Sequence, residues 1–474
     1  MQDDAGATTL APVCRGLADL PGPRPLPLLG NLHQLHATRL HQDMEAWARA
    51  YGPLFKVALG RTTMLVVADH DLIAQVLRER PATFRRPSAT AAVAEELGGI
   101  AGLFEAEGAD WRNQRRMVMQ AFAPQAVKAY FPALVQVARR LQRRWEAAAK
   151  TGRAIDLGAE LRLYTVDIIA GLAFGCDVNT IETGDNAIQR NLDAILPAVA
   201  RRTLSPFPYW RYLKLPRDYR LERSVAMVRG AAEELVECAR ERMRTDPSPA
   251  GPRNMLEAML VAAAQEGSGV TGREVAGNVL TTLLAGEDTT SNALAWLIWL
   301  LHRHPAVLAR ARDEVLQVAP DLAALTIEQM DRLDLVEACA REALRLKPPA
   351  AFLPFEALVE TVVGDVRLAP GTLVWCVMRS ASVDETRVAD AAQFDPQRWL
   401  EERIEKKLSM PFGGGPRTCP GRYLAMLEIK VAMTMLLSRF EIVSVSTVHG
   451  GEPAEKQGFL MEPERLRMHL ALKS

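Results

Sequence analysis

One cysteine in this chain has surroundings unlike those of the other five. Cys419 lies in Pro411-Phe-Gly-Gly-Gly-Pro-Arg-Thr-Cys-Pro-Gly-Arg422. Three consecutive glycines, Gly413 to Gly415, let a backbone turn sharply and approach something flat and close. Pro420, Gly421 and then a helical pattern follow Cys419, so its sulfur is expected at a helix N-terminus, where free N–H groups and the dipole favour a thiolate. Arg417 adds a positive group two residues earlier. A thiolate held this way can be a nucleophile, a zinc ligand or an axial ligand to haem iron. Zinc calls for three or four clustered Cys, His or carboxylate ligands, and none neighbours Cys419 in sequence. A Cys nucleophile usually needs a His base, and none of the eight histidines has a telling context. A lone thiolate in a glycine-rich loop fits one-sided ligation of a planar cofactor; the plain alternative is a glycine loop that only turns a corner.

Two further groups of residues could support such a centre. Ala285-Gly-Glu-Asp-Thr-Thr290 stands in the middle of a long helical pattern. Gly286 costs up to about 1 kcal/mol against Ala in a helix interior, which makes sense if something must come close to the backbone. The Thr289 hydroxyl can bond the carbonyl one turn back, loosening the helix and leaving a groove for water. Asp288 and Thr289 could then deliver protons to a bound oxygen species, although Glu287 and Asp288 could equally be ordinary surface acids. Glu342-Ala-Leu-Arg345 puts a carboxylate and a guanidinium three apart on one helix face, usually a solvated bridge worth a few tenths of a kcal/mol. If the later segment Phe394-Asp-Pro-Gln-Arg-Trp399 folds back, Arg398 completes a Glu–Arg–Arg triad, because a guanidinium offers donors on several edges.

Such residues need a large scaffold. The chain has 474 residues, 49% hydrophobic and 24% charged, which is a globular composition. Its 57 basic and 57 acidic side chains give zero formal net charge, which argues against a nucleic-acid binder held by a positive field. The densest basic run, Arg139–Arg144, reads as a solvated helix face. The apolar run Leu294–Leu301 is far short of the roughly 20 residues of a membrane span. Asp3, Asp4 and Asp19 sit where a secretory signal would be basic and then apolar. Cysteines 14, 176, 238, 339, 376 and 419 are scattered, which reads as reduced thiols and a cytoplasmic location; all but Cys419 read as small buried hydrophobes.

Along the chain, residues 1–19 read as a flexible leader and Leu20–Pro27 as a stiff extended segment lying against a body. The pattern predicts a helix over His41–Tyr51, a hairpin of Leu54–Leu59 and Thr63–Val67 about Gly60-Arg61, a helix over Asp69–Arg80, and an irregular stretch from Pro87 to Leu103. From about Asp110 to Leu346 nearly everything reads as helix, broken at Pro206–Trp210 and Asp246–Pro252. Thr271-Gly-Arg-Glu274 is a capping box. The helix it opens can run to His304, about 50 Å, with apolar residues on most sides as suits a buried element. Beyond Pro348-Pro349 the period changes, and Val359–Val363 and Leu373–Met378 read as strands around a Pro370-Gly371 turn. A helix over Arg422–Arg439 and strands over Glu441–Val445 and Leu466–Leu472 finish the chain. The expectation is a mostly α fold, one unit over residues 20–474. Its helical part spans about 110–346 and 420–440, and a smaller β-rich portion, about 50–70 and 350–380, comes from both ends.

Together these motifs resemble the cytochrome P-450 superfamily, the haem-thiolate monooxygenases. The resemblance is carried by Phe412–Gly421, Ala285–Thr290, Glu342-x-x-Arg345, Phe394-x-Pro-x-Arg398, Trp111-Arg-Asn-Gln-Arg115 and the proline-rich residues 20–27, in the family's order over about residues 20 to 472. It implies the large helical P-450-like fold and haem b (iron protoporphyrin IX), with Cys419 as the axial iron ligand whose electron donation favours O–O cleavage. Phe412 would pack beside the sulfur, within the cofactor loop that includes Gly413 and Gly421. Trp111, Arg115 and Arg417 would hold the haem propionates. Asp288 and Thr289 would relay protons, Ala285 and Gly286 would border the oxygen pocket, and Glu342, Arg345 and Arg398 would brace the haem-side core. Two departures stand out. Phe355 or Glu356 aligns where many members carry an Arg that reaches a propionate, and Ala381-Ser-Val-Asp384 replaces a His-Arg-Asp-like triplet.

The implied activity is insertion of one atom of O2 into a hydrophobic small molecule, by hydroxylation or dealkylation. With no flavin or iron–sulfur segment in the sequence, electrons would come from an external donor of ferredoxin/ferredoxin reductase or flavodoxin type. A soluble bacterial-type monomer is expected, with no nucleic acid and no membrane span. A peroxygenase on the same fold would not need Asp288 and Thr289, and a haem-based sensor would show no turnover. Segments that usually line the pocket are apolar here (Ile100, Leu103, Phe104, Leu280, Leu284, Phe352, Leu353, Phe459). This suggests a neutral lipophilic substrate such as a terpenoid, steroid or long alkyl chain. Fatty acids are the alternative, with Arg85 or Arg86 as anchor.

Overall fold

The computed structural model describes residues 14–96, 102–175, 177–184, 187–203, 205, 207–246, 248 and 251–473. Its centre is the helix Gly272–Arg303, which starts where the capping box places it. Thr271 N–H donates to Glu274 Oε2 at 2.6 Å and Glu274 N–H donates to Thr271 Oγ1 at 3.5 Å, and His304 ends the helix. Trp296, Leu294, Ile298 and Leu301 on it are almost wholly buried. Around it pack Leu157–Phe174, Pro216–Thr245, Asp334–Leu346 and Arg422–Arg439, and Pro124–Thr151 lies against the last of these. An apolar stripe broad enough to face several neighbours demands such a central position.

The β-rich portion does draw on both ends of the chain. A five-stranded sheet runs in the order Leu54–Leu59, Thr62–Val67, Leu373–Val377, Phe352–Ala357, Phe84–Arg85. Leu65 pairs in parallel with Val374, joining sequence segments some three hundred residues apart. Side chains alternate across the sheet: Leu65, Val67, Phe355 and Cys376 enter one apolar cluster, and Met64, Val66, Trp375 and Val377 enter another. The strands Phe440–Thr447 and Leu466–Leu472 pair antiparallel, as their pattern suggests.

The structure corrects several expectations. Residues 1–13 lie outside the described residues, but the leader is docked from residue 14 on: Arg15–Gly16 pairs with Val366–Arg367, and Arg15 Nε donates to Asp365 Oδ2 at 2.7 Å. The stretch after Pro87 is not irregular, since Ser88–Glu96 is a helix of alanines and acids, good helix formers behind a proline start; residues 97–101 are not described. Thr361–Val363 pairs with Val366–Leu368 in a separate sheet and not with Leu373–Val377. Arg139–Arg144 is only in part a solvated face, with Arg139 and Arg143 exposed. Arg140 is buried against Asp177, and Arg144 Nε donates to Glu160 Oε2 at 2.6 Å, tying their helix to Leu157–Phe174 and to the connection that follows it. Among the other cysteines only Cys339 and Cys376 are buried; Cys14 is half-buried, Cys238 is exposed, and Cys176 is not described.

Candidate functional site

The glycine loop delivers Cys419 to the start of the helix Arg422–Arg439, with Gly421 at its N-cap. Gly413 and Gly415 take positive φ values of 71° and 65°, and Gly415 lies so close to Leu77 that a Cβ would sit 2.3 Å from its carbonyl oxygen. Glycine is required there both by conformation and by space. Cys419 N–H donates to the Phe412 carbonyl at 2.9 Å, closing the loop, and Phe412 packs partly buried on the helical core. The Cys419 side chain is exposed. Crowding by the protein around it pushes the thiol pKa up, while N–H groups of Gly421 and Arg422 and the charges of Arg115 and Arg422 favour the thiolate. No group of three or more His, Cys, Asp or Glu positioned for a metal exists among the described residues, so the sulfur would have to serve alone.

The helix Gly108–Ala121 brings Trp111 and Arg115 to this loop. Arg115 Nη2 donates to the Thr418 carbonyl at 2.7 Å, and the Arg417 guanidinium stands over the Trp111 ring at 4.9 Å. Arg417 also donates to the Ala106 carbonyl at 2.7 Å and pairs with Glu107. Glu107 was not foreseen; an acid just before a helix that carries cofactor arginines was its only signal. Burial is the main cause that lowers the pKa of Arg80 to about 9 and of Arg86 to about 10; the neighbouring cations Arg86 and Arg417 contribute at Arg80, Arg417 does the same at Arg86, and burial also lowers Arg417. Guanidinium nitrogens of Arg80 (Nε and Nη2) and Arg417 (Nε) are buried without a partner. Buried donors left unpaired are costly, so this corner calls for an anion. A haem, with one face for a sulfur and two carboxylates at its edge, fits this donor set.

Over the long helix, Thr289 Oγ1 donates to the Ala285 carbonyl at 2.7 Å, one turn back as expected, and the helix runs unbroken through Ala285–Thr290. Ala285 is exposed although it lies mid-helix. The close approach expected at Gly286 comes from a neighbouring helix. It faces the helix Leu157–Phe174, where an added Cβ would lie 2.5 Å from Ile169 Cδ1, so what approaches its backbone is the protein itself. Glu287 is buried and not a surface acid, and its carbonyl accepts from Thr165 Oγ1 at 2.9 Å. Asn278 was missed: it accepts from Leu103 N–H at 2.9 Å and donates to Gln114 Oε1 at 2.8 Å, fixing the segment after residue 101 to the long helix.

The Glu–Arg–Arg triad forms, fully buried. Arg345 donates twice to Glu342, at 2.7 and 2.8 Å, and Arg398 Nε donates to Glu342 Oε1 at 2.9 Å. Trp399 Nε1 donates to the other Glu342 oxygen at 2.8 Å. Remaining guanidinium donors reach the carbonyls of Ser382, Ala391, Ala389 and Asp390.

Among the expected lining residues, Ile100 is not described. Phe104 and Phe459 meet, with ring centroids 5.9 Å apart. Leu280 and Leu284 line a cavity of about 580 Å³ between the long helix and Pro216–Thr245, together with Ile195, Val225 and Val228, a volume typical of small-molecule sites. Phe352 does not belong with them: strand alternation turns it onto Trp375, at 5.4 Å, and Leu353 packs into the opposite sheet cluster. Arg85 is taken by Glu356 at 2.7 Å, and Arg86 donates to the Phe104 carbonyl while its guanidinium covers the Phe104 ring.

The family model of cytochrome P450 matches residues 20–470. Cyclooctat-9-en-7-ol 5-monooxygenase of Streptomyces melanosporofaciens is 29% identical over 426 residues, 89% of this chain and 88% of its own length. Cytokinin hydroxylase of Arabidopsis thaliana is 27% identical, over 86% of this chain and 79% of its length. A bifunctional cytochrome P450/NADPH–P450 reductase of Gibberella moniliformis is 27% identical over 90% of this chain, and the match spans only 38% of that longer protein. The crystal structure of the cytochrome P450DA haem domain superposes with a TM-score of 0.85 at 26% identity, covering 97% of this chain and 99% of that one. The chain belongs to the cytochrome P450 family; its cofactor is haem iron and its reaction class is monooxygenation. Among the described residues no helix is long and apolar enough to cross a membrane.

Proposed function

We propose that this chain is a haem-thiolate monooxygenase that transfers one atom of O2 to a neutral, lipophilic small molecule, with residues 20–474 forming a single haem b domain. The observation that carries the reading is Cys419: a lone exposed sulfur at a helix N-terminus, behind a loop in which Gly413 and Gly415 take positive φ and Gly415 has no room for a side chain. Bound there, the haem supplies the oxidative chemistry, and the protein supplies orientation and protons. Cys419 would ligate the iron while the Gly421 and Arg422 N–H groups temper the charge on its sulfur, and Phe412 would shield it. Trp111, Arg115 and Arg417 would hold the carboxylate edge. Across the cavity Ala285 would leave space for oxygen, and Asp288 with the Thr289 hydroxyl would pass protons inward from solvent.

For the substrate, the 580 Å³ cavity presents Leu280, Leu284 and Val228 beside a charged side that includes Arg229, Glu233, Glu237, Arg240 and Arg273. Arg85 and Arg86 are already engaged by Glu356 and Phe104, which disfavours a carboxylate anchor at either. The Streptomyces relative, named for its action on cyclooctat-9-en-7-ol, supports a terpenoid alcohol as a starting ligand. A separate ferredoxin- or flavodoxin-type donor, a monomeric state and a cytoplasmic location complete the proposal. Two measurements test it. Cys419→His should retain haem yet abolish the red-shifted carbon monoxide band of the thiolate-ligated ferrous protein; survival of that band would exclude Cys419 as ligand. Optical titration of the ferric protein should give a high-spin Soret shift with neutral terpenoids or steroids, whereas a shift with fatty acids alone would overturn the substrate class.

A further inference from the structure

Six arginines are buried among the described residues: Arg80, Arg140, Arg202, Arg345, Arg379 and Arg398. Five of them have a carboxylate at ion-pair distance, respectively Asp177, Asp218, Glu342, Glu45 and again Glu342 for the last five in order. Arg80 is the exception. It is 6% exposed, its Nε and Nη2 have no partner, and its guanidinium lies 4.4 Å from the centroid of the buried Phe355 ring. A ring face attracts a cation but offers no oxygen acceptor to its N–H donors. A buried cation normally requires a charge partner and hydrogen bonds, and this one has neither from the protein.

The other charges nearby do not fill the gap. Arg80 feels Arg86 and Arg417 as neighbouring cations, and Glu107 is the acid it senses, already paired with Arg417. Glu105, the other acid of this corner, is held toward its neutral form by burial. Arg417 also keeps one buried nitrogen unpaired, so two guanidiniums that sense each other share the same unmet demand. Phe355 or Glu356 stands where the family resemblance would place an arginine, and the Phe355 ring supports a guanidinium arriving from the segment after His70–Arg78.

We propose that Arg80, stacked on Phe355, holds a propionate of the cofactor together with Arg417, replacing a strand arginine that this chain lacks. The inference rests on the haem reading above. Arg80 is a positioning residue: its guanidinium would form a charge-assisted pair with the carboxylate, and the Phe355 ring packs against its cationic carbon at 4.4 Å.

The test is haem release to excess apomyoglobin from the wild type, Arg80→Met and Arg80→Lys, each reconstituted with haem and with haem dimethyl ester, whose propionates carry no charge. With haem, Arg80→Met is expected to lose cofactor roughly 10- to 100-fold faster, the range for a hydrogen bond to a charged group, and Arg80→Lys to recover part of this. With the ester, wild type and Arg80→Met should release it at rates within about twofold. Equal acceleration with both cofactors would mean that Arg80 only supports the fold, and an unchanged rate with haem would mean no role; either result overturns the proposal. If Arg80→Met does not fold, Arg80→Lys read through the same two cofactors decides it. The wild type separates the two levels of inference. Failure to take up haem with a thiolate-type carbon monoxide spectrum overturns the function itself, whereas normal uptake with an insensitive Arg80→Met overturns Arg80 alone.

Discussion

The arginines around Glu342 and those around Trp111 are both held inside the protein beside acidic residues, yet only the first set closes on itself. Arg345 and Arg398 converge on one carboxylate, Trp399 takes its second oxygen, and backbone carbonyls absorb the remaining donors. Arg80 and Arg417 instead keep buried nitrogens unpaired and lie close enough to repel each other. A closed cluster is a brace, because every polar group has its partner and removing one strands the others. An open cluster of like charge is a receptor: it is poorly satisfied alone and becomes satisfied when an anion arrives. Glu428 gives the acidic counterpart. It is as buried as Glu342 but has a Thr290 hydroxyl where Glu342 has two guanidiniums, and desolvation pushes its pKa up to about 8.

The contrast can be broken at its strong end first. Glu342→Gln should destabilise the protein by about 3–5 kcal/mol, the usual cost of stranding a buried charge, seen as a lower denaturation midpoint and poor recovery of holoprotein. A loss under about 1 kcal/mol would show that the triad is no brace. Glu428 supplies a pH signature. Its folded pKa lies above the roughly 4.3 of an unfolded Glu, so its contribution to stability is full below that value, falls as pH rises toward about 8, and is gone above it. Glu428→Gln should therefore gain on the wild type between pH 5 and 8, by on the order of 1–4 kcal/mol; parallel stability–pH curves would refute the shift. Arg115→Gln, in the open cluster, should cost about 1.5–3 kcal/mol in cofactor-free protein, the worth of its single charge-assisted carbonyl bond, and more once haem is bound. Smallest of all, Arg341→Ala breaks an exposed pair with Glu337 on the same helix as Glu342 and should shift stability by no more than about 0.5 kcal/mol.

Much of this molecule was legible in its residues. The capping box at Thr271, the proline stop at Pro305, the glycines before Cys419 and the two-residue alternation of the terminal strands are local signals. Short-range sterics and hydrogen bonding set them, and they hold in any context that lets the segment fold. The helix over Ser88–Glu96 escaped because its alanines and glutamates show little amphipathic pattern while favouring helix by propensity alone. Gly286 was rightly singled out for a close approach, but only packing shows that the approaching group is Ile169.

What the sequence by itself determined is the family, the glycine-flanked cysteine proposed as ligand and the order of the helices, because each rests on residue types at fixed short spacings. Tertiary structure alone decided which charges are partnered. Glu342 meets Arg398 across 56 positions, Arg85 is claimed by Glu356 across 271, and Arg80 reaches Phe355 with no carboxylate at its side. Whether a buried guanidinium is brace or receptor depends on groups brought near it by the packing of distant segments, and no local spacing in the chain encodes that distance.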